Sequence, residues 1–214
     1  MGDMLPITYR FLLKFKLINM KTKLLVFLIF IGQVLVAQES FSEKLSGAAI
    51  SLTNQEVTYD PTYFSIDYPN GDVPKNKGVC TDVIIRAYRK LGIDLQKEVH
   101  EDMKAHFLAY PNLWGLSSTD KNIDHRRVPN LMKFFSRNGQ ELIITRNAKD
   151  YQPGDIVSWN LNSGLMHIGI VVNKKSSDEE RYLIVHNIGA GQVMEDVLFS
   201  YKIIGHYRYQ PNLN

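Results

Sequence analysis

The sequence predicts an α+β fold in which helices come first and an antiparallel sheet follows. Two observations carry this. Up to Phe135, apolar residues recur at three- and four-residue spacings, the period of helices with a buried face. From Leu142 onward, five short strand-like runs are separated by turn residues with no long helix between them, so neighbouring runs pair antiparallel. Helices first and sheet second is the α+β order.

Each element has its own signal. Residues 41–52 carry Leu45, Ala48, Ala49 and Leu52 at helical spacing. Residues 64–68 alternate apolar and polar, which reads as a short strand, and Pro69-Asn70-Gly71-Asp72 is a turn. Gly78-Val79-Cys80-Thr81-Asp82 leads into a helix whose Val83, Ile84, Ala87, Tyr88 and Leu91 define one buried face. Asp82 falls in its first turn and Arg89 and Lys90 in its last, before Gly92, which suits the helix dipole. A second helix is expected over 94–109 on Leu95, Val99, Met103, Phe107 and Leu108, ended by Tyr110-Pro111. A long loop over 111–126 precedes a third helix, marked by Val128, Leu131, Met132, Phe134 and Phe135 and closed at Asn138-Gly139. The strand-like runs are 142–144, 156–159, 167–172, 182–186 and 203–209, with Pro153-Gly154-Asp155, Asn162-Ser163-Gly164 and Gly189-Ala190-Gly191 among the turns between them.

The chain begins with an export pattern. Met20-Lys21-Thr22-Lys23 is a short basic stretch, residues 24–35 are almost all apolar, and Ala37-Gln38 offers a cleavage point. A signal peptide over residues 1–37 is therefore expected, with Met20 as an alternative start, and residues 38–214 form one domain. The apolar run is short for a membrane span, so no stable membrane insertion is expected after cleavage. The location that follows is the periplasm or the exterior. Residues 1–37 hold five of the 25 basic and one of the 22 acidic residues, so the remainder carries a net charge of −1. The chain has no basic stripe and is not read as a nucleic-acid binder. Its single cysteine excludes an intramolecular disulfide.

That cysteine, Cys80, is the first candidate for chemistry. A thiol at a helix start faces unpaired N–H groups and a partial positive charge, both of which favour thiolate. A buried apolar role is the alternative. A cysteine nucleophile needs a base, and the base needs an orienting group. His167 opens a strand directly after a turn, and His186 ends the next one. Antiparallel pairing would bring them side by side as a Cys–His–His site, with Asn187 competing for the third place.

Two other clusters carry charge. His100, Asp102 and His106 do not share one helix face, so no metal is expected. Asp124, His125 and Arg126 lie in the long loop, where an arginine can recognise a peptide carboxylate or hold the loop by internal ion pairs.

The chain resembles the DUF1287 family of bacterial proteins, in the NlpC/P60-like, papain-fold superfamily. The residues that carry the resemblance are Tyr68-Pro69-Asn70-Gly71-Asp72-Val73-Pro74, Gly78-Val79-Cys80-Thr81-Asp82, Val99-His100-Glu101-Asp102-Met103, Ile123-Asp124-His125-Arg126-Arg127-Val128-Pro129-Asn130, Pro153-Gly154-Asp155-Ile156-Val157, His167-Ile168-Gly169-Ile170-Val171 and Val185-His186-Asn187-Ile188-Gly189. It extends from about Thr58 to Tyr209. NlpC/P60 enzymes have Asp-Cys-Ser-Gly at the nucleophile, where this chain has Val79-Cys80-Thr81-Asp82.

The resemblance implies a papain-like fold with the nucleophile at a helix start packed on the sheet. It implies Cys80 as nucleophile, His167 as base and His186 as orienting residue. Tyr68 and Thr81 would line the site or the oxyanion hole. It further implies an exported cysteine amidase or endopeptidase without cofactor, acting on peptidoglycan peptide or another small amide. The competing readings are an acyltransferase or deamidase using the same pair, and a silent papain-fold module that binds wall peptides or a protein partner. Asp82 must face away from the sulfur or bind a backbone group, since an inward carboxylate would disfavour thiolate.

Overall fold

The computed structural model describes residues 39–211. The expected signal peptide lies outside them, and no helix among the described residues is long and apolar enough to cross a membrane.

Helix α1 (Phe41–Leu52) is capped by Ser40, whose side chain accepts the Glu43 N–H at 3.2 Å. It buries Leu45, Ala49 and Leu52 on one face. Strands β1 (Thr58–Tyr59) and β2 (Lys77–Gly78) form a two-residue parallel pair just before the next helix. The strand expected over 64–68 does not form. That segment has no neighbouring strand, and side chains satisfy its backbone instead. Asn122 accepts the Ile66 N–H at 3.1 Å, and Gln96 donates to the Asp67 carbonyl at 2.8 Å.

Helix α2 (Cys80–Arg89) is buried all round from Cys80 to Tyr88, more than the one-faced pattern predicts. Its apolar side meets α1 and the sheet, where Val83, Ile84 and Ile85 are at most 2 % exposed. Burying side chains of this size stabilises the fold by about 1.5–3 kcal/mol each. Its polar side is covered by loops that bring matching charges. Arg86 pairs with Asp72 at 3.1 Å and donates to the Lys77 carbonyl at 2.8 Å, and Asp82 pairs with Arg126.

Helix α3 (Leu95–Ala105) starts at Asp94, which accepts the Gln96 and Lys97 N–H groups. It ends earlier than its apolar pattern suggests, passing into a single 3₁₀ turn (Phe107–Ala109) ahead of Pro111. A second 3₁₀ turn (Asp124–Arg126) leads into α4 (Val128–Asn138), with Pro129 in its first turn, where a missing N–H costs nothing.

The remaining strands are β3 (Gln140–Glu141), β4 (Ile156–Asn160), β5 (Met166–Lys175), β6 (Tyr182–His186), β7 (Val193–Glu195) and β8 (Lys202–Arg208). They form one antiparallel sheet in the order β3-β8-β4-β5-β6-β7. The run at 142–144 is not a strand. Ile143 is 83 % exposed there, and pairing with β8 stops at Glu141.

The sheet carries two apolar layers. The helices cover Ile156, Ile168, Ile170, Val172, Val185 and Tyr207. The other face holds Tyr151, Val157, Trp159, Val171, Ile184 and Leu198. The Pro153-Gly154-Asp155 turn is locked by Asp155, which is fully buried. Its carboxylate accepts Arg208 Nε at 2.7 Å, lies 2.9 Å from His206 Nε2 and accepts the Gln152 N–H at 2.8 Å. Gly154 sits at φ 87°, which favours glycine.

Candidate functional site

Cys80 is the first residue of α2, and the sequence at that point explains its setting. The Asp82 carboxylate reaches back to accept the Val79 N–H at 2.7 Å, which closes the first turn. Its two oxygens also take Nε and Nη2 of Arg126 at 3.0 and 3.1 Å. Asp82 therefore binds a backbone group and a guanidinium. The Thr81 hydroxyl donates to the Arg126 carbonyl at 3.1 Å, so it is turned toward the Asp124–Arg126 turn.

The backbone N–H groups of Ile168, Thr81 and Cys80 itself act on the thiol in the direction that favours thiolate. Ile168 follows His167 on β5, so the helix start abuts the beginning of that strand. The thiol is 6 % exposed, and burial pushes its pKa up to about 12, with the Asp82 charge adding to the rise. The thiolate expected from helix position alone is therefore not the resting state. Desolvation outweighs the three N–H groups and the helix dipole. Alkylation of the folded protein should be slow at neutral pH and climb roughly tenfold per pH unit to beyond pH 10. A labelling rate that levels off below pH 8 would contradict this.

The histidines lie where strand pairing puts them. His167 stands opposite Trp159 across β4 and β5, with ring centroids 5.8 Å apart. His167 Nε2 is 2.9 Å from His186 Nδ1, and the two rings meet edge to face. Gly169 makes this approach feasible. A β-carbon there would lie 2.6 Å from Ile184 and 3.2 Å from the β-carbon of His186. Burial holds His167 down to about 3, with His186 adding to the shift, and burial also lowers His186, opposed by Glu195. Both rings are neutral at physiological pH.

His186, rather than Asn187, contacts His167. Asn187 donates to the Gly78 carbonyl at 3.3 Å and accepts the Gly189 N–H at 3.1 Å, tethering the segment ahead of Cys80.

Two residues near this centre went unread in the sequence. Glu195 Oε2 lies 3.0 Å from His186 Nε2 but well off the line of its N–H bond, so the contact is one of carboxylate charge against ring nitrogen rather than a formed hydrogen bond. It sits on the three-residue strand β7, too short and too close to the Gly189-Ala190-Gly191 turn to give a periodic signal. Tyr59 is the tyrosine whose phenol feels Cys80. Burial raises its pKa first, followed by the charges of Cys80 and Asp82. Tyr68 packs edge-on to His100 at 5.1 Å, with Lys121 Nζ 5.8 Å from its ring centroid.

The loop residues turn inward. The Arg126 guanidinium is shared among Asp82 and the carbonyls of Thr62 and Asp60, so its carboxylate partner belongs to this chain. Asp124 is buried, accepts the Asp120 N–H and lies 3.5 Å from Arg127, and burial raises it to about 6. His125 is buried, and burial lowers it to about 3, helped by the charges of Arg126 and Arg89. Asp102 is taken by Arg137, Tyr110 and His106.

Fold and site together define a mixed α+β protein with a buried cysteine at a helix start, packed against an antiparallel sheet that holds a histidine pair. The chain belongs to the family described as "Domain of unknown function (DUF1287)", whose model matches residues 46–209. It is 54 % identical over 151 residues to the uncharacterized protein YijF of Escherichia coli (strain K12), covering 71 % of this chain and 73 % of that one. Two crystal structures of an N-acetylmuramoyl-L-alanine amidase from Bacteroides uniformis are similar at TM-scores of 0.46 and 0.45 and 12 % identity. They cover 79 % of this chain and 99 % of theirs. Likeness at that level carries no functional argument.

Proposed function

We propose that this protein is an exported cysteine amidase or peptidase of the NlpC/P60-like, papain-fold kind, acting on an amide bond of peptidoglycan peptide. The observation that carries the chemistry is the 2.9 Å contact of His167 with His186 at the start of β5, the strand on which the Cys80 helix packs. The cell-wall substrate and the export rest on the motif resemblance and the N-terminal pattern.

With a protonated thiol and neutral imidazoles at rest, the reaction follows general-base rather than ion-pair logic. His167 Nε2 is occupied by His186, which leaves Nδ1 to take the thiol proton as sulfur attacks the amide carbon. The same nitrogen then hands the proton to the departing amine. Water cleaves the thioester with His167 again as base. The backbone N–H groups of Cys80 and Thr81 are the donors for the oxyanion.

The test is incubation of residues 38–214 and the Cys80→Ala variant with purified muropeptides, followed by mass spectrometry. A cleaved amide with the first and none with the second is the expected result. Equal product from both removes Cys80 from the reaction. The burial of Cys80 favours one second reading, a silent module that binds wall peptides. No product from either protein, together with retention of the muropeptide by both, would establish that reading instead.

A further inference from the structure

We propose that Glu195 sets the hydrogen pattern of the His167–His186 pair and so makes His167 Nδ1 the basic nitrogen. Its consequence for catalysis rests on the cysteine mechanism above; the hydrogen pattern itself does not.

Strand register brings the carboxylate there. β7 pairs with β6 so that Glu195 lies opposite Ile184 and Val193 opposite His186. Residues two apart on a strand share a face, so Glu195 and His186 lie on the same side and diagonal to each other. The carboxylate reaches His186 Nε2 at 3.0 Å.

The chemistry then runs in one direction. An ionised carboxylate has no hydrogen to give, and its charge 3.0 Å away favours an N–H over a lone pair on the nitrogen that faces it, so the hydrogen belongs to His186 Nε2. A neutral imidazole carries one N–H, so His186 Nδ1 presents a lone pair. The 2.9 Å contact between His186 Nδ1 and His167 Nε2 needs one hydrogen, which must then sit on His167 Nε2. The remaining nitrogen, His167 Nδ1, is left with its lone pair free. Without the carboxylate, the same contact could be made with the hydrogen on His186 Nδ1. His167 would then carry its hydrogen on Nδ1 and could not accept a proton from a thiol.

Glu195 touches neither thiol nor substrate in this scheme, so it is a positioning residue. Its side chain is 47 % exposed on the terminal strand of the sheet, so replacing it should spare the fold.

The experiment is long-range proton–nitrogen NMR of the imidazoles in ¹⁵N-labelled protein (residues 38–214) without substrate, for the wild type, Glu195→Gln and Glu195→Ala. The wild type should show Nε2–H on both rings. Glu195→Gln, whose amide can accept from Nε2–H or donate to an Nε2 lone pair, should hold that pattern less firmly than the wild type. Glu195→Ala should show nitrogen shifts for His167 and His186 averaged between two patterns. Amidase turnover, where present, should fall in the alanine variant by the fraction of His167 that carries its hydrogen on Nδ1, and by less in the glutamine variant. A wild type with hydrogen on His167 Nδ1, or an alanine variant with an unchanged pattern, would each overturn the proposal. A wild-type pattern as described, in a protein that cleaves no muropeptide, would leave it standing and sink only the amidase reading.

Discussion

Replacing Arg126 by alanine should lower the free energy of unfolding by about 3–5 kcal/mol, the usual cost of leaving one member of a buried ion pair alone. Both side chains of the Asp82–Arg126 pair are 3 % exposed. The guanidinium meets the carboxylate through two nitrogens and also donates to the carbonyls of Thr62 and Asp60. Without it, Asp82 keeps one strong donor, the Val79 N–H, in a site closed to water. The loss should appear as a lower urea midpoint at an unchanged slope. Combining Arg126→Met with Asp82→Asn should recover most of it, because the amide oxygen can still accept from Val79 and no charge is left buried. The same substitution bears on the thiol. Asp82 already raises the Cys80 pKa, and a carboxylate freed from Arg126 should raise it further, slowing alkylation of folded Arg126→Ala at any alkaline pH. A single-variant cost below about 1 kcal/mol, the scale of an exposed ion pair, would contradict the buried-pair account.

This ion pair also marks where the sequence stops being legible. The positions of α1, α2 and α4 and of strands β4, β5, β6 and β8 follow from apolar period and turn residues, because each element buries a continuous stripe. The contact between His167 and His186 was readable for a related reason: both lie at matching ends of paired strands. Segments without a stripe were misread. Residues 64–68 alternate like a strand but have no neighbour to pair with, and 142–144 are apolar yet exposed. Local pattern reports what a segment prefers, whereas a ladder needs a partner.

Charges were the least legible. Asp82 and Arg126 are 44 residues apart, and nothing in either neighbourhood states that they meet. The same holds for Glu195, whose strand is three residues long. The thiol illustrates the limit most clearly. Helix position and nearby charge can be read from a sequence, but the degree of desolvation cannot, and desolvation decides which form of Cys80 rests in the folded protein.

Burial of neutral imidazoles also predicts that the domain loses stability steeply on acidification, before its exposed carboxylates titrate. His125 and His167 are held at about 3, and His186 is lowered in the same direction. In the unfolded chain each titrates near 6.5. Between those values the unfolded chain takes up protons that the folded one refuses, so stability is full above about pH 6.5 and is lost as the pH falls. Asp124 works in the opposite sense. Its carboxyl is raised to about 6, so below that pH the folded protein binds a proton that the unfolded chain takes only near 4, which offsets one imidazole. His125 and His167 against Asp124 leave a net slope of about one proton, or about 1.4 kcal/mol per pH unit between roughly pH 6 and 4, and His186 adds to it in the same direction. Those two units would remove about 3 kcal/mol or more from a reserve of about 5–15 kcal/mol. Urea midpoints measured from pH 7 to 4 should show this slope. His125→Gln, which removes one imidazole outside the histidine pair, should reduce it by about 1.4 kcal/mol per unit. A stability that stays flat from pH 6.5 to 4 would mean that these rings accept protons in the folded state, and the neutral resting state of the His167–His186 pair would fall with it.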